Sequence, residues 1–198
     1  MPEPVNRTTL FDPGVFSEYA VEVDTLKWLD DIVITHSHAD HFSLPLVKRL
    51  VAKFPGVRIT APPDVVQSLA EAGINASSEA SQGIVFFDAP HEAGEPLFAA
   101  PEQRPVHYLD MLTNPGDSHS FEETKAILAL PVQAPWGSTR NAVNLALKLK
   151  PQYVLPIHDW HWSDEARMQM YDRLEQIFQA AGINFVSLTN GDPILINS

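Results

Sequence analysis

Apolar and polar residues follow one another along the chain in two patterns that predict two kinds of element. Short apolar runs bounded by turn residues are typical of buried strands, whereas apolar residues three or four positions apart are typical of amphipathic helices. Predicted strands cover residues 9–11, 31–35, 57–60, 83–87, 106–110, 126–130, 153–157, 185–188 and 193–196. Strands and helices alternate through most of the sequence, which predicts an α/β fold.

Four segments have the helical pattern, and their ends carry helix-capping or helix-stopping residues. The predicted helices run from the Ser43 cap to about Pro55, from Pro63 to Ala72, from about Thr139 to Lys150, and from the Ser163 cap to Gly182. Residues 89–105, rich in Pro, Glu and Ala, are predicted to form a long loop, and residues 190–192 (Asn-Gly-Asp) predict a hairpin turn. Because no linker divides these elements, we expect a single domain over residues 1–198.

Composition and charge narrow the class of protein. The chain has 198 residues, of which 44% are hydrophobic and 19% charged, as in a globular domain. Asp and Glu number 25 against 13 Lys and Arg, and the basic residues form no run, which argues against nucleic acid as a partner. No apolar segment is long enough to span a membrane, and residues 1–8 lack the apolar core of a secretory signal. We therefore expect a cytoplasmic protein without a membrane partner.

The chain contains no cysteine, which excludes disulfides, iron–sulfur clusters, thiol nucleophiles and cysteine-ligated zinc. Any metal must be held by His, Asp or Glu.

The strongest chemical motif is the segment Thr35-His-Ser-His-Ala-Asp-His41, directly after a predicted strand. Three histidines and one aspartate at this spacing would arise by chance in about one in a thousand chains of this composition, so a chance match is a weak explanation of the segment. On an extended backbone His36 and His38 point the same way and can meet one cation, while Asp40 and His41 face a second position. The alternative is a loop of polar surface residues, which would scatter its histidines among other polar residues.

This segment resembles the His-x-His-x-Asp-His signature of the metallo-β-lactamase superfamily, and more closely that of its lactonase-like branch of cytoplasmic hydrolases. Later motifs follow in the family's order. They are the lone histidine His91 after a strand, the triplet Gly116-Asp117-Ser118, and the segment Pro156-Ile157-His158. Asp12, in Leu-Phe-Asp-Pro-Gly, matches an early acidic motif whose carboxylate more often anchors a ligand than binds metal.

The resemblance implies a fold, a four-layer αββα sandwich with two metal ions at one edge of the facing sheets. It also implies a set of ligands. His36, His38 and His91 would hold the first ion, Asp40, His41 and His158 the second, and Asp117 would bridge them.

The donor types agree with metal chemistry. Nitrogen and oxygen donors without sulfur suit Zn²⁺, and also Mn²⁺ or Fe²⁺. We expect two Zn²⁺ ions, which make hydroxide available near neutral pH and remove the need for a Ser or Cys nucleophile. Asp117 would keep the ions at their spacing, and Asp40 would orient the hydroxide and later accept its proton.

Five further residues are weaker candidates. His107 lies inside a predicted strand, where a structural histidine is the better interpretation. His119 could reach a leaving group or support a ligand, and the roles of Asp159 and His161, which flank the last ligand region, stay open. Trp136 fits packing and a substrate wall equally well.

Two features depart from the family pattern. Only eleven residues precede Asp12, so one sheet is expected to lack strands at its N-terminal side. Either the start codon is mis-set, or the chain is a shortened member whose open edge a second copy of the chain covers. Residues 107–114 lack the glycine-containing turn expected between two short strands, which predicts atypical geometry around Asp117.

The sequence therefore predicts a metal-dependent hydrolase that cleaves an ester, lactone or phosphodiester bond in a small molecule. Two alternatives remain. One is a metal-binding or scaffolding protein with weakened turnover. The other is an iron-dependent oxidoreductase on the same fold, although relatives of that kind often have a carboxylate where His38 stands. The sequence of the loop at residues 89–105 contains no recognisable code for a substrate.

Overall fold

The polypeptide chain folds into two units. The computed structural model describes residues 7–20, 22–187 and 194–196. Unit 1 consists of Met1–Ser81 and Pro101–Arg104, and unit 2 consists of Gln82–Ala100 and Pro105–Ser198. The predicted single domain over residues 1–198 stays a prediction.

Unit 1 is a three-stranded parallel sheet with two helices. Its elements are β1 (Thr9–Phe11), β2 (Asp31–Val33), α1 (Leu44–Lys53), β3 (Arg58–Thr60) and α2 (Pro63–Glu71), with short 3₁₀ turns at Val15–Ser17 and Val23–Thr25. The sheet order is β1-β2-β3. All five elements were predicted, but β2 ends two residues early because the Thr35 N–H bonds to the Asp12 carboxylate instead of a neighbouring strand.

The core of unit 1 forms between the sheet and the apolar face of α1. Leu46, Val47 and Leu50 of α1 are fully buried, at the three- and four-residue spacing of one helix face, and pack with Ile32 and Ile34. Ser43 starts this helix, since its Oγ accepts a hydrogen bond from the Leu46 N–H at 3.2 Å. The cap therefore determines where the histidine-rich loop ends and α1 begins.

Unit 2 is a six-stranded mixed sheet with two helices. Its elements are β4 (Ile84–Phe86), β5 (Val106–Tyr108), β6 (Leu112–Asn114), β7 (Ile127–Pro131), α3 (Thr139–Leu149), β8 (Tyr153–Ile157), α4 (Asp164–Ala180) and β9 (Asn184–Phe185). The strands lie in sequence order, with β4-β5-β6 antiparallel and β6-β7-β8-β9 parallel. Because β4, β6, β7 and β8 run in the same direction, their carboxyl ends lie at one edge of the sheet.

The core of unit 2 lies under α3 and α4. Leu128, Leu130 and Val154 of the central strands are fully buried, together with Leu174 and Phe178 of α4. The continuous apolar sequence of β7 reflects burial at all five of its positions, whereas β8 alternates between half-buried and buried positions.

Strand β6 was not predicted. It pairs with β5 through a tight turn in which Leu109 and Asp110 take the left-handed conformation, at φ 50° and 57°. Three residues separate the paired Tyr108 and Leu112, and tight hairpin turns with left-handed residues usually contain Asn or Gly, whose absence concealed the hairpin. The expectation of atypical geometry around Asp117 stays a prediction.

The end of the chain differs from the prediction in part. Strand β9 comprises two residues that pair parallel with β8, so it covers only the start of the predicted strand 185–188. Residues 194–196 belong to no strand, and the predicted hairpin turn at 190–192 lies outside the described residues.

Strand β1 lies at an edge of the sheet in unit 1. The expectation that a second copy covers an open edge stays a prediction. None of the helices in the described ranges combines the length and apolar character needed to cross a membrane.

Replacing Ser43 with alanine tests the cap of α1. The Ser43 hydroxyl accepts from the Leu46 N–H and donates to the Glu18 carboxylate, so Ser43→Ala is expected to lower the free energy of unfolding by about 1–2 kcal/mol. Urea denaturation measures this change. Ser68→Ala, on the exposed side of α2, is the matched control; an equal effect from both variants would contradict the role of the cap.

Candidate metal centre

Two segments of unit 1 bring its histidines and carboxylates to the carboxyl ends of parallel strands. Asp12 directly follows β1, and Thr35 and His36 follow β2. The pairing of Phe11 with Val33 places these two strand ends side by side, where open α/β sheets commonly bind ligands. The loop from His36 to the start of α1 then carries the remaining candidates, His38, Asp40 and His41.

Hydrogen bonds hold the rings of His36 and His41 in one tautomer. The Thr35 hydroxyl donates to Asp12 Oδ1 at 3.0 Å, so its oxygen accepts from His36 Nδ1 at 3.1 Å. Asp12 Oδ2 lies 3.3 Å from His41 Nδ1 and accepts its proton. Each ring therefore carries its proton on Nδ1 and a lone pair on Nε2, which is the atom a metal ion would bind.

The imidazoles of unit 1 are tightly grouped. The ring centroids of His36 and His38 are 4.9 Å apart and those of His36 and His41 are 3.9 Å apart. Asp40 Oδ2 lies 3.7 Å from His41 Nε2. Burial by itself would raise the pKa of Asp12, but the neighbouring His41 ring and the Thr35 N–H outweigh it and hold that pKa below its ordinary value. Asp12 is thus ionised and anchors His41.

Glycine at position 14 allows the two loops of unit 1 to approach each other. A Cβ atom at Gly14 would lie 1.8 Å from the carbonyl oxygen of Asp40, which leaves no room for a side chain. Two backbone hydrogen bonds join the same loops, from the Val15 N–H to Ala39 O and from the Ser43 N–H to Pro13 O, each at 2.8 Å. The backbone of the histidine loop is therefore held from the β1 side.

Three strands of unit 2 position His91, Asp117 and His158. These residues follow β4, β6 and β8, whose carboxyl ends share one edge of the sheet. Before Asp117, Gly116 takes a left-handed conformation at φ 58°, and its N–H donates to Asn114 Oδ1 at 3.1 Å. The Gly-Asp-Ser triplet thus needs glycine to turn the chain and point the carboxylate along the sheet edge.

The carboxylate of Asp117 faces two imidazoles, one with each oxygen. Oδ2 lies 3.6 Å from His91 Nε2, and Oδ1 lies 3.3 Å from His158 Nε2. The Nδ1 atoms of the two rings donate to the backbone carbonyls of Glu92 at 2.7 Å and Gln133 at 2.9 Å, so both Nε2 atoms carry lone pairs. Lone pairs that face carboxylate oxygens repel them unless a cation lies between. The donor set of unit 2 therefore fits divalent metal ions on both sides of Asp117.

Trp136 contacts this carboxylate directly. Its indole Nε1–H donates to Asp117 Oδ2 at 2.8 Å, and its ring packs edge-on against the rings of His91, His119 and His158. The sequence suggested packing or a substrate wall, and it contained no feature that would have revealed the hydrogen bond. Trp136 limits the orientations open to Asp117.

Comparison with known proteins identifies the family. Residues 3–118 match the family model described as the metallo-beta-lactamase superfamily. The chain belongs to the metallo-β-lactamase superfamily. Protein Rv0786c of Mycobacterium tuberculosis (strain ATCC 25618 / H37Rv) is 28% identical over 181 residues, which cover 85% of this chain and 83% of that protein.

Solved structures share the fold at low sequence identity. A protein of Parabacteroides distasonis named as a metal-dependent hydrolase superposes with a TM-score of 0.65 and 19% identity, covering 92% of this chain and 84% of its own. CmlA of Streptomyces venezuelae, a diiron β-hydroxylase, superposes with a TM-score of 0.59 and 12% identity, covering 86% of this chain and 45% of its own.

These comparisons confirm the predicted family and the α/β metallo-β-lactamase fold. Superfamily membership supports the expectation of a metal-dependent hydrolase. The fold does not identify the metal, since a diiron protein shares it.

The structure gives several of the open residues of this metallo-β-lactamase-like chain a structural role. Burial lowers the pKa of His119, and its Nε2–H donates to the Pro131 carbonyl at 2.8 Å, so the ring is neutral and held by the backbone. His107 is buried, with Nδ1 2.9 Å from Thr113 Oγ1. His161 is exposed and stacks on Trp160 at 3.5 Å.

Asp159 anchors α4. Its Oδ2 accepts hydrogen bonds from Arg167 Nε at 2.6 Å and from the Tyr171 hydroxyl at 2.7 Å. Burial and the bond to Asp159 raise the pKa of Tyr171, so its hydroxyl keeps the donated proton. Both partners lie on α4, so this carboxylate ties the loop after β8 to that helix.

One supporting residue next to His91 was not anticipated. Glu92 Oε1 accepts from the His119 N–H at 2.9 Å and from the Ser120 hydroxyl at 2.7 Å, and the Glu92 N–H donates to Asp117 O at 2.9 Å. Glu92 therefore joins the loops that carry His91 and Asp117. Only its place beside His91 could have suggested this role.

Replacing Trp136 with phenylalanine tests its effect on Asp117. The variant keeps an aromatic ring but loses the indole N–H, and the loss of a partner that orients a ligand typically weakens metal binding about 10- to 100-fold. We expect that weakening for Zn²⁺, measured by competition with a chromogenic chelator. Trp28→Phe, at an exposed position of unit 1, is the control. Equal affinities of the two variants would show that Trp136 does not position Asp117.

Proposed function

We propose that this protein is a hydrolase that uses two divalent metal ions, preferentially Zn²⁺, to cleave an ester, lactone or phosphodiester bond of a small molecule. The two faces of Asp117 carry the proposal, because each oxygen meets an imidazole lone pair. A carboxylate in this setting suits a bridge between two ions. A structural carboxylate would instead be surrounded by hydrogen-bond donors.

The proposed ligands are those expected from the family motifs. His36, His38 and His91 would hold the first ion, Asp40, His41 and His158 would hold the second, and Asp117 would be shared by both. Four of the histidines have a tautomer fixed by a hydrogen bond at Nδ1 and present Nε2, which supports their assignment as ligands; they are His36, His41, His91 and His158.

The choice of Zn²⁺ follows from the donors. Five imidazole nitrogens and two carboxylates without a thiolate suit Zn²⁺, and the same donors accept Mn²⁺ or Fe²⁺. Metal analysis of protein purified without added metal separates these ions. Iron in excess of zinc would favour the iron-dependent alternative that the fold of CmlA illustrates.

The residues of this chain divide the remaining chemical tasks. When bound, two divalent ions supply Lewis acidity that lowers the pKa of water and polarises the scissile carbonyl or phosphoryl group. Asp40, whose side chain is partly exposed, orients the attacking water and accepts its proton. The hydrogen bond from Trp136 holds the Asp117 carboxylate with one oxygen facing His91 and the other facing His158. Neutral His119 is committed to the Pro131 carbonyl and therefore supplies no proton to the leaving group.

A small substrate fits the charge of the molecule better than a nucleic acid. The net charge is −12, and an acidic surface does not release the counterions that drive nucleic-acid binding. A single phosphodiester in a small molecule needs no extended basic surface, so it stays among the proposed substrates.

Removing the proposed bridge tests the reaction. Asp117→Ala is expected to reduce hydrolysis of p-nitrophenyl acetate and bis(p-nitrophenyl) phosphate by about 100-fold or more, because both ions lose a shared ligand. The metal content should fall with it, measured by elemental analysis. Asp172→Ala, on the exposed side of α4, is the control, and circular dichroism checks that both variants fold. Full turnover in Asp117→Ala would falsify the mechanism.

A double-mutant cycle tests whether His36 and His91 bind the same ion. If they do, His36→Ala and His91→Ala each abolish tight binding of one ion per chain, and the double variant loses no further ion. Metal titration of the two single variants and the double variant measures this directly. Additive losses, with one ion lost for each histidine removed, would assign the two residues to separate sites.

A further inference from the structure

Unit 2 contains a cleft of about 950 Å³ that the proposed metal ligands do not account for. Its volume is that of sites for drug-sized molecules. The aromatic rings of Phe87, His107, Phe121 and Trp136 contribute to its walls, and α3 contributes polar side chains and Leu145. A wall of flat rings is suited to bind another flat ring.

His107 lies on the sheet beside this cleft. It pairs in register with Val85 of β4 and Thr113 of β6, so the three side chains share one face of the sheet. The residue is only 8% exposed, and its imidazole stacks on the ring of Phe87, with centroids 4.3 Å apart and planes 11° apart. The ring is therefore a fixed part of the cleft.

The hydrogen bonds around Thr113 determine which nitrogen of His107 carries the proton. Thr113 Oγ1 accepts from the Lys125 N–H at 2.8 Å, and its own proton has no other acceptor among the described residues than His107 Nδ1, at 2.9 Å. Nδ1 is thus the acceptor, and Nε2 carries the ring proton. Burial, followed by the positive charge of Lys125, lowers the pKa of His107, so the ring is neutral.

The Nε2–H of His107 is available to a ligand. In the ranges that the structure describes, no protein atom forms a hydrogen bond with Nε2, although the residue is more than nine-tenths buried. Nε2 is not one of the fully buried atoms that lack a partner, so its N–H is accessible from the cleft and an acceptor on a ligand can bind it there. A group that places a carbonyl oxygen near His107 and a ring on the aromatic wall satisfies both features.

The charged residues of the cleft exclude anions. Four carboxylates line it, those of Asp88, Glu92, Glu122 and Glu123, against the single cation Lys148. Lys148 is already paired with Glu122, with Nζ 2.6 Å from Oε2. The remaining carboxylates repel a negatively charged ligand, and the repulsion is strongest in a concave site.

We propose that this cleft binds an uncharged aryl carbonyl group, with the ring against Phe87 and Phe121 and the carbonyl oxygen accepting from His107 Nε2–H. The proposal rests on the proposed function in one respect, which is that the bound group belongs to the substrate. Trp136 connects the cleft with the proposed metal ligand Asp117, since it lines the cleft and donates a hydrogen bond to that carboxylate. The aryl carbonyl would therefore be a part of the substrate that is not cleaved.

Benzamide and benzoate are matched probes, because both carry a ring and a carbonyl-type acceptor and differ in charge. Calorimetric titration of the purified protein is expected to show benzamide binding about tenfold more tightly than benzoate, owing to the excess of carboxylates. Equal affinities, or tighter binding of benzoate, would overturn the proposal.

Two sets of variants locate the binding. His107→Phe keeps the ring on Phe87 but removes the N–H, and it is expected to weaken benzamide binding about three- to tenfold, the usual effect of one neutral hydrogen bond. His161→Phe, an exposed histidine outside the cleft, is the control and should leave the affinity unchanged. Unchanged affinity in a folded His107→Phe variant would overturn the proposal.

If His107→Phe does not fold, surface variants decide the question. Asp88→Asn combined with Glu123→Gln changes only exposed carboxylates and should bring benzoate within about threefold of benzamide. An unchanged preference would show that the probes bind elsewhere.

The same titration, run beside the hydrolysis assay on the unmodified protein, separates this proposal from the proposed hydrolysis. Benzamide binding that persists while no ester or phosphodiester is cleaved by the unmodified protein supports the cleft and contradicts the function. Hydrolysis by the unmodified protein without benzamide binding contradicts the cleft alone.

Discussion

A proton on Nδ1, held by a protein oxygen, is the constraint on which the candidate metal centre depends. The oxygens are the Thr35 hydroxyl and the Asp12 carboxylate in unit 1, and the carbonyls of Glu92 and Gln133 in unit 2. Each of these bonds selects the tautomer that places a lone pair on Nε2. Imidazoles without such partners would exchange tautomers and rotate, and metal binding would have to order them at a cost in free energy. The orientation of the candidate ligands is thus set by the oxygens that accept hydrogen bonds from their Nδ1 atoms.

The backbone accepts strain to place two of these residues. His158 and Asp12 have left-handed conformations, at φ 63° and 46°, in a region that costs a residue with a side chain about 1–2 kcal/mol. Both residues directly follow strands. The left-handed conformation turns the backbone sharply there and directs the side chain of the residue along the sheet edge. The bond from the Asp12 N–H to the Val33 carbonyl in unit 1 and the bond from His158 to the Gln133 carbonyl in unit 2 hold the strained conformations in place.

The sequence predicted most elements and the positions of the candidate residues, because both depend on local patterns. Ser43 could be identified as a cap from its neighbours, and the strand-plus-histidine motifs placed His36 and His158 at strand ends. Strand β6 was not predicted because the turn before it places Leu109 and Asp110 in the left-handed conformation, where Gly or Asn is the usual residue. The bond from Trp136 to Asp117 joins residues 19 apart, and Asp159 acts through partners on α4. Such contacts depend on tertiary structure, which periodicity does not contain.

Gly14 has a consequence for engineering this centre. Its backbone angles, φ −82° and ψ 178°, suit any residue, so the crowding by the Asp40 carbonyl is the whole obstacle to a side chain there. Even one methyl group would have to displace the peptide that carries Asp40 while leaving every proposed ligand chemically intact. Position 14 is therefore a place where a designer could retune the spacing of donor atoms by adding bulk at a distance, with alanine as the smallest increment.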